Sequence, residues 1–303
     1  QGVSSAASDV YKRQVQGFHS AAGWIAFLAV GLGLIWSTSR MPFFTRPPPD
    51  GAAETAAAGL PARHDPASGH SAAPTGLDAP TAMRTPPATA AARPAAAPSA
   101  VACIVPFLAL MAVTILTQAF TAGFDWLYPL RVVAVAAAVW RLRNDLHWRS
   151  FRIRPAAVAI GVATFALWMA IVPTAAAGTG DDPHVLPWPW STAWLVLRVV
   201  GATMTVPIAE ELFFRGFVMR RCIGPDVDAV PVGQFTWLSF LLSSVAFGVL
   251  HGDAWIAGTL AGMLFAVAVY TRRRLDDAVV AHATTNALLS GYVVATESWG
   301  QWG

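Results

Sequence analysis

Eight stretches of this chain are apolar for long enough to cross, or nearly cross, a lipid bilayer, which leaves few ways to fold. They cover 17–36, 101–121, 128–140, 155–177, 193–219, 235–250, 254–270 and 279–295. A spanning helix needs about 20 such residues, because the hydrocarbon layer is about 30 Å thick and each helical residue advances about 1.5 Å. Within that layer every backbone N–H and C=O must be bonded inside the protein, so the runs read as packed helices. The expected fold is all-α: a polytopic membrane protein with a bundle of about eight transmembrane helices. Composition agrees, since 55% of residues are hydrophobic and 12% charged, where soluble domains carry about 25% charged residues. The run 128–140 needs its flanks to cross, and Arg198 puts the outer part of 193–219 in the interface.

The runs are unevenly distributed. Residues 1–16 show no apolar period and no helix cap, and are set aside as a non-native or disordered tail. Residues 17–40 are expected to form an N-terminal transmembrane helix ending at Arg40. A signal peptide is the other reading, but no convincing small-residue cleavage site follows. Residues 41–100 then turn to alanine and proline, with Pro47, Pro48 and Pro49 in a row and Pro86 next to Pro87. Such a segment lacks backbone donors and cannot bury a core, so it reads as a disordered linker. The other seven runs belong to one membrane domain, 101–303.

Charge sets orientation and excludes one class of partner. The formal net charge of +3 rests on arginine. Lys12 is the sole lysine, and the arginines sit between apolar runs rather than in a basic stripe among exposed aromatics, so no nucleic-acid partner is expected. Arg141, Arg143, Arg149, Arg152 and Arg154 mark a cytoplasmic connection, and Asp181 with Asp182 an external one. Arg220 with Arg221, and Arg272 to Arg274, return to the cytoplasmic side. Several of the 13 tryptophans flank the runs, as interface anchors do. Cys103 and Cys222 are too few for a disulfide framework, and neither is assigned a role.

Ionisable groups within spans are expensive and serve as functional hypotheses by default. They fall into three sets. In Pro207-Ile208-Ala209-Glu210-Glu211-Leu212-Phe213-Phe214-Arg215, Glu211 and Arg215 share a helix face as an i,i+4 pair, while Glu210 points about 100° away. Pro207 should free a carbonyl close by. Phe247 with His251, and His282 with Asn286, repeat the i,i+4 spacing on two further helices. A carboxylate, two imidazoles and an amide suffice for peptide hydrolysis. Glu210 and His251 can polarise a water, and His282 with Asn286 can donate to the oxyanion. Each set alone is equally compatible with packing, but three on three spans are harder to explain that way. The Gly258 to Gly262 spacing reads as helix contact without chemistry.

These strings, EELFFRGF, then FGVLH, then HATTN, resemble the three motifs of the CAAX protease and bacteriocin-processing family over roughly 101–302. The text LLSSVAFG before His251 and TNALLSGYVVATESWGQW at the end are similar to the CAAX-protease-related branch found beside bacterial exosortase systems. The resemblance implies an intramembrane endopeptidase in which Glu210 is the base for the attacking water. Glu211, Arg215 and Phe247 would support it, His251 would be its partner on the water, and His282 with Asn286 would form the oxyanion site. It implies a glutamate-type mechanism with no cofactor; Zn²⁺ held by Glu210, His251 and His282 is the alternative. The expected partners are membrane lipids and a peptide or protein substrate presented at the membrane, and the expected location is the bacterial inner membrane.

Span counting opposes this picture at one point. It puts His251 near the external end of its helix and His282 near the cytoplasmic end of another. For the two to meet, the helix before His251 must begin later than Phe235, and the last helix must begin on the cytoplasmic side. Two rival functions keep the same fold: a catalytically silent scaffold or bacteriocin-immunity-type protein, and a proton-coupled transporter. Transporters usually carry inverted repeats, and the sequence has no internal repeat.

Overall fold

The computed structural model describes residues 97–121, 123–146, 151–172 and 180–302. The tail 1–16, the helix expected at 17–40 and nearly all of the linker 41–100 lie outside the described residues. Within them the chain is all-helical, and each of the seven remaining apolar runs coincides with a helix. These are α1 (Ala100–Phe120), α2 (Pro129–Arg141), α3 (Pro155–Ile171), α4 (Trp190–Arg221), α5 (Trp237–Val249), α6 (Trp255–Arg272) and α7 (Leu275–Thr296). Four candidate spans are long and apolar enough to cross a membrane: α1, α4, α7, and α6 with the short turn before it. The others have 13 or 17 residues, so length alone supports four spans here, fewer than the sequence suggested.

Local chemistry sets the helix ends. The Ala102 N–H donates to the Ser99 hydroxyl at 3.2 Å, which caps α1 one residue before the expected domain boundary. Pro129 and Pro155 occupy first helical positions, where a missing N–H costs nothing. Thr236 and Ser239 form a reciprocal capping box that starts α5. Arg273 and Glu297 take left-handed conformations, φ 56° and 54°, and stop α6 and α7.

Polar contacts at the two ends of the bundle show that the helices alternate in direction. At one end Arg154 pairs with Asp277 at 2.8 Å and Asp276 at 3.4 Å, and Arg274 pairs with Asp276 at 2.8 Å. The Ser99 N–H donates to the Asp145 carbonyl, and Gly233 lies against the Arg273 backbone. The arginine-bearing connections after α2, α4 and α6 therefore share one end. Arg220 departs from its sequence reading as a topology charge. It is buried and donates to the carbonyls of Pro98, Gly216, Val227 and Val230, tying the chain before α1 to the loop after α4. At the opposite end the Asp125 N–H donates to Asp181 at 2.7 Å, Arg131 pairs with Asp125 at 2.6 Å, and Arg198 holds the Trp302 carbonyl. Burial pushes the Asp125 carboxyl above the usual carboxylate range, against the pull of Arg131.

Trp126, Trp188, Trp190 and Trp255 are exposed toward this acidic end, and Trp140 and Trp237 toward the basic one. Two belts of this kind mark the edges of a membrane-embedded body. Between them aliphatic side chains such as Leu116, Val162, Met204, Val245 and Val267 face outward, as the outer surface of an integral membrane protein does. The core is built on Phe107, Phe214, Phe247 and Phe265, where α1, α4, α5, α6 and α7 meet.

Candidate active site

The carboxylates lie in a helix that is not regular. In α4 two π-helical segments, Gly201–Thr205 and Leu212–Val218, flank the six-residue α-helical segment Val206–Glu211 that carries Glu210 and Glu211. The first relieves Pro207, whose ring would clash with the carbonyl four residues back and whose nitrogen has no hydrogen to donate. A carbonyl in that wide turn is put to use: Asn286 donates from Nδ2 to the Ala202 oxygen at 2.9 Å. The freed carbonyl expected from Pro207 thus has a partner, and that partner is a candidate site residue.

Two adjacent glutamates meet opposite environments. Glu211 is fully buried. Its Oε2 lies 3.2 Å from Arg215 Nε, close enough for an ion pair though not aligned as a hydrogen bond. Its Oε1 accepts from His282 Nδ1 at 3.0 Å. Arg215, also fully buried, donates to the Gly262 carbonyl at 2.6 Å and lies over the Phe247 ring at 4.5 Å. Charges taken this far from water persist only when paired and solvated by protein dipoles. Glu210, by contrast, receives no hydrogen bond among the described residues. Its Oε2 faces His282 Nε2 at 4.0 Å, and its side chain keeps 12% exposure.

The imidazoles are held by rings. His282 stacks on Phe265, centroids 4.6 Å apart and planes 17° apart, with Phe247 edge-on at 5.6 Å. With Nδ1 donating to Glu211, Nε2 is the nitrogen turned to Glu210. His251 follows the end of α5, where Nδ1 donates to the Phe247 carbonyl at 3.0 Å. Its ring lies 4.9 Å from Phe247 and 5.5 Å from Trp168. Gly258 backs it so closely that an added Cβ would stand 2.8 Å from Nδ1. Gly262 likewise abuts Ser244 of α5. The small-residue spacing in α6 is therefore a helix contact, as read from the sequence, and it also makes room for His251 and offers a carbonyl to Arg215.

His251 and His282 do not share a depth: counted from the starts of α5 and α7, His251 lies about 21 Å in and His282 about 10 Å, and Phe247 bridges them. Helix α5 begins at Trp237, two residues after Phe235, and α7 begins at Leu275, four before its apolar run. Gly233 packs against Arg273, so both helices start at the basic end. At 1.5 Å per residue Phe247 and His282 then lie about 10–15 Å in, where the ring of Phe247 touches both imidazoles. Glu210, Glu211, Arg215, Phe247 and His282 form one cluster. His251 joins it through Phe247, and Asn286 is anchored one turn beyond His282. The imidazole seen facing Glu210 belongs to His282. Phe265, Ala202 and Trp168 were not singled out in the sequence, since an isolated aromatic or alanine in an apolar run gives no signal.

Among the described residues no three His, Cys, Asp or Glu side chains are grouped as metal ligands would be. Each imidazole uses Nδ1, on Glu211 and on the Phe247 carbonyl, and keeps Nε2 open.

A buried carboxylate with no donor among the described residues thus faces an imidazole held by a second carboxylate inside a helical membrane protein, an arrangement capable of acid–base chemistry. Residues 192–288 match the family described as Type II CAAX prenyl endopeptidase Rce1-like, which suggests a CAAX-type intramembrane protease acting on peptide at the membrane. The match starts in the first turn of α4, ends within α7 and contains every candidate residue from Glu210 to Asn286, while α1 to α3 lie outside it. No curated protein and no solved structure matches the chain.

Proposed function

We propose that the protein is a glutamate-type intramembrane endopeptidase, with Glu210 the base. The observation that carries this reading is the unequal pair of carboxylates: Glu211 is spent on Arg215 and His282, while Glu210 stands undonated, 4.0 Å from His282 Nε2. A water against both groups is held for attack. Glu210 takes one of its protons as the water oxygen bonds to the scissile carbonyl carbon. Negative charge moves onto the carbonyl oxygen, where protonated His282 Nε2 and the second N–H of the anchored Asn286 amide donate to it. The C–N bond then breaks as Glu210 returns the proton to the leaving amine. His251, with Nδ1–H on the Phe247 carbonyl, offers the lone pair of Nε2 to orient the water. Glu211 and Arg215 hold His282 and balance the charge.

The family match favours a prenylated CAAX peptide as substrate. Similarity of the C-terminal text to the exosortase-associated branch makes an apolar sorting-signal peptide the second choice, in a bacterial inner membrane. The test uses the full chain in nanodiscs with both peptides. Wild type is expected to cut one of them; Glu210→Gln and His282→Ala should fall by about 10³-fold or more, and His251→Ala by about 10²-fold. Cleavage at wild-type rate by all three variants would sink the protease reading. A chelator that abolishes cleavage until Zn²⁺ is restored would instead replace the metal-free mechanism.

A further inference from the structure

A peptide bond can be cut only after it leaves a helix, and in a bilayer its carbonyl then has no water to accept from. A protein that performs this step needs spare donors beside its site, so a buried N–H without an acceptor there carries information. Trp168 holds one. Its indole packs edge-on against the His251 ring, centroids 5.5 Å apart and planes 65° apart, and its Nε1 is buried without a hydrogen-bond partner among the described residues. Of the other buried indoles, Trp194 donates to the Asp125 carbonyl at 2.9 Å, while Trp302 Nε1, at the acidic end and far from the site, also has no partner among the described residues.

His251 is half-buried and has other neighbours besides Trp168. Phe247 covers one side, the Gly258 backbone another, and Nδ1 is committed to the Phe247 carbonyl. Trp168 packs against it from α3, a helix outside the residues that match the family. A phenylalanine at 168 would pack there without burying an orphan donor.

We propose that Trp168 is a substrate-docking residue, whose indole N–H donates to a backbone carbonyl of the peptide as it enters beside His251. This rests on the endopeptidase reading and would make α3 part of the substrate site. One hydrogen bond contributes a factor of about 5–10 in binding, and because it forms with the bound peptide before and during reaction, the loss falls on KM.

The experiment uses the full chain in nanodiscs and a dye-labelled farnesylated CAAX peptide. Trp168→Phe keeps an aromatic wall and removes only the donor. It is expected to raise KM about five- to tenfold with kcat within about threefold. In a Glu210→Gln background, where the peptide stays intact, it should weaken binding by the same factor in fluorescence anisotropy. Unchanged KM and Kd would overturn the proposal, as would a loss confined to kcat. If Glu210→Gln cleaves like wild type, or wild type binds the peptide without cutting it, the endopeptidase reading falls while the Kd of Trp168→Phe still decides the docking role. A chain that binds no peptide overturns both.

Discussion

Helix α7 carries two ion networks, one at its first turn and one about two turns in, and they are built on different terms. At the first turn Asp276 and Asp277 meet Arg154 and Arg274, and the Arg152 N–H adds a further donor to Asp276. Each carboxylate there has a cationic partner, and both arginines keep some exposure. Two turns in, Arg215 is shared by its own helix and the Gly262 carbonyl, His282 leans on Glu211, and Glu210 has no donor at all among the described residues. The first network fastens the start of α3 to the start of α7, with Arg274 closing it from the N-cap of α7 itself. In the second, Glu211 has both a cation and an imidazole, although its Oε2 and two Arg215 nitrogens make no hydrogen bond among the described residues, while Glu210 has no donor and keeps residual exposure. Buried charge that serves structure alone is held by a partner of opposite charge or a donor; a carboxylate that accepts no hydrogen bond at all needs another reason.

Substitutions can break this contrast at either place. The largest effect is expected for Glu211→Gln, which leaves Arg215 buried without an anionic partner. Stability should fall by about 3–5 kcal/mol, read from thermal or denaturant melting of the purified protein. A melting curve like that of wild type would show that the Glu211–Arg215 ion pair does not hold the fold. Next comes Asn286→Ala, which removes an anchored amide donor while the fold persists. Peptide cleavage should drop by about 10²-fold, or about 2.7 kcal/mol in the barrier; an unchanged kcat would reduce Asn286 to an α4–α7 tie. The smallest is Asp277→Asn at the first turn. Arg154 is 17% exposed at its side chain, so about 1 kcal/mol of stability is expected to go, with no change in kcat. A collapse of activity there would erase the distinction between the networks.

Much of this arrangement was legible in the sequence, and for a physical reason. Long apolar runs have one stable form in lipid, and i,i+4 spacing fixes which polar groups share a face, so the helices, the Glu211–Arg215 pair and the involvement of His282 could be read directly. Arginine placement also indicated which connections share an end. What could not be read depends on register and on contacts between helices. Nothing in GATMT or LFFRGFV announces a π turn, since the extra residue is accommodated by packing against α1 and α7 rather than by local propensity. That His282 rather than His251 faces Glu210 follows from where α5 and α7 start, set by the Thr236 cap and by the Arg273 turn. Arg220 looks like any cytoplasmic arginine until the loop it holds is seen around it.

The brevity of α5 has a consequence beyond the protein itself. Its 13 residues reach about 20 Å, against a hydrocarbon layer of about 30 Å. On that flank the lipid chains must shorten or splay to match the wall, drawing headgroups and their hydration toward the turn at His251. Acyl-chain length is thus expected to set how far hydrated headgroups reach toward the turn at His251, more in a thin bilayer than in a thick one.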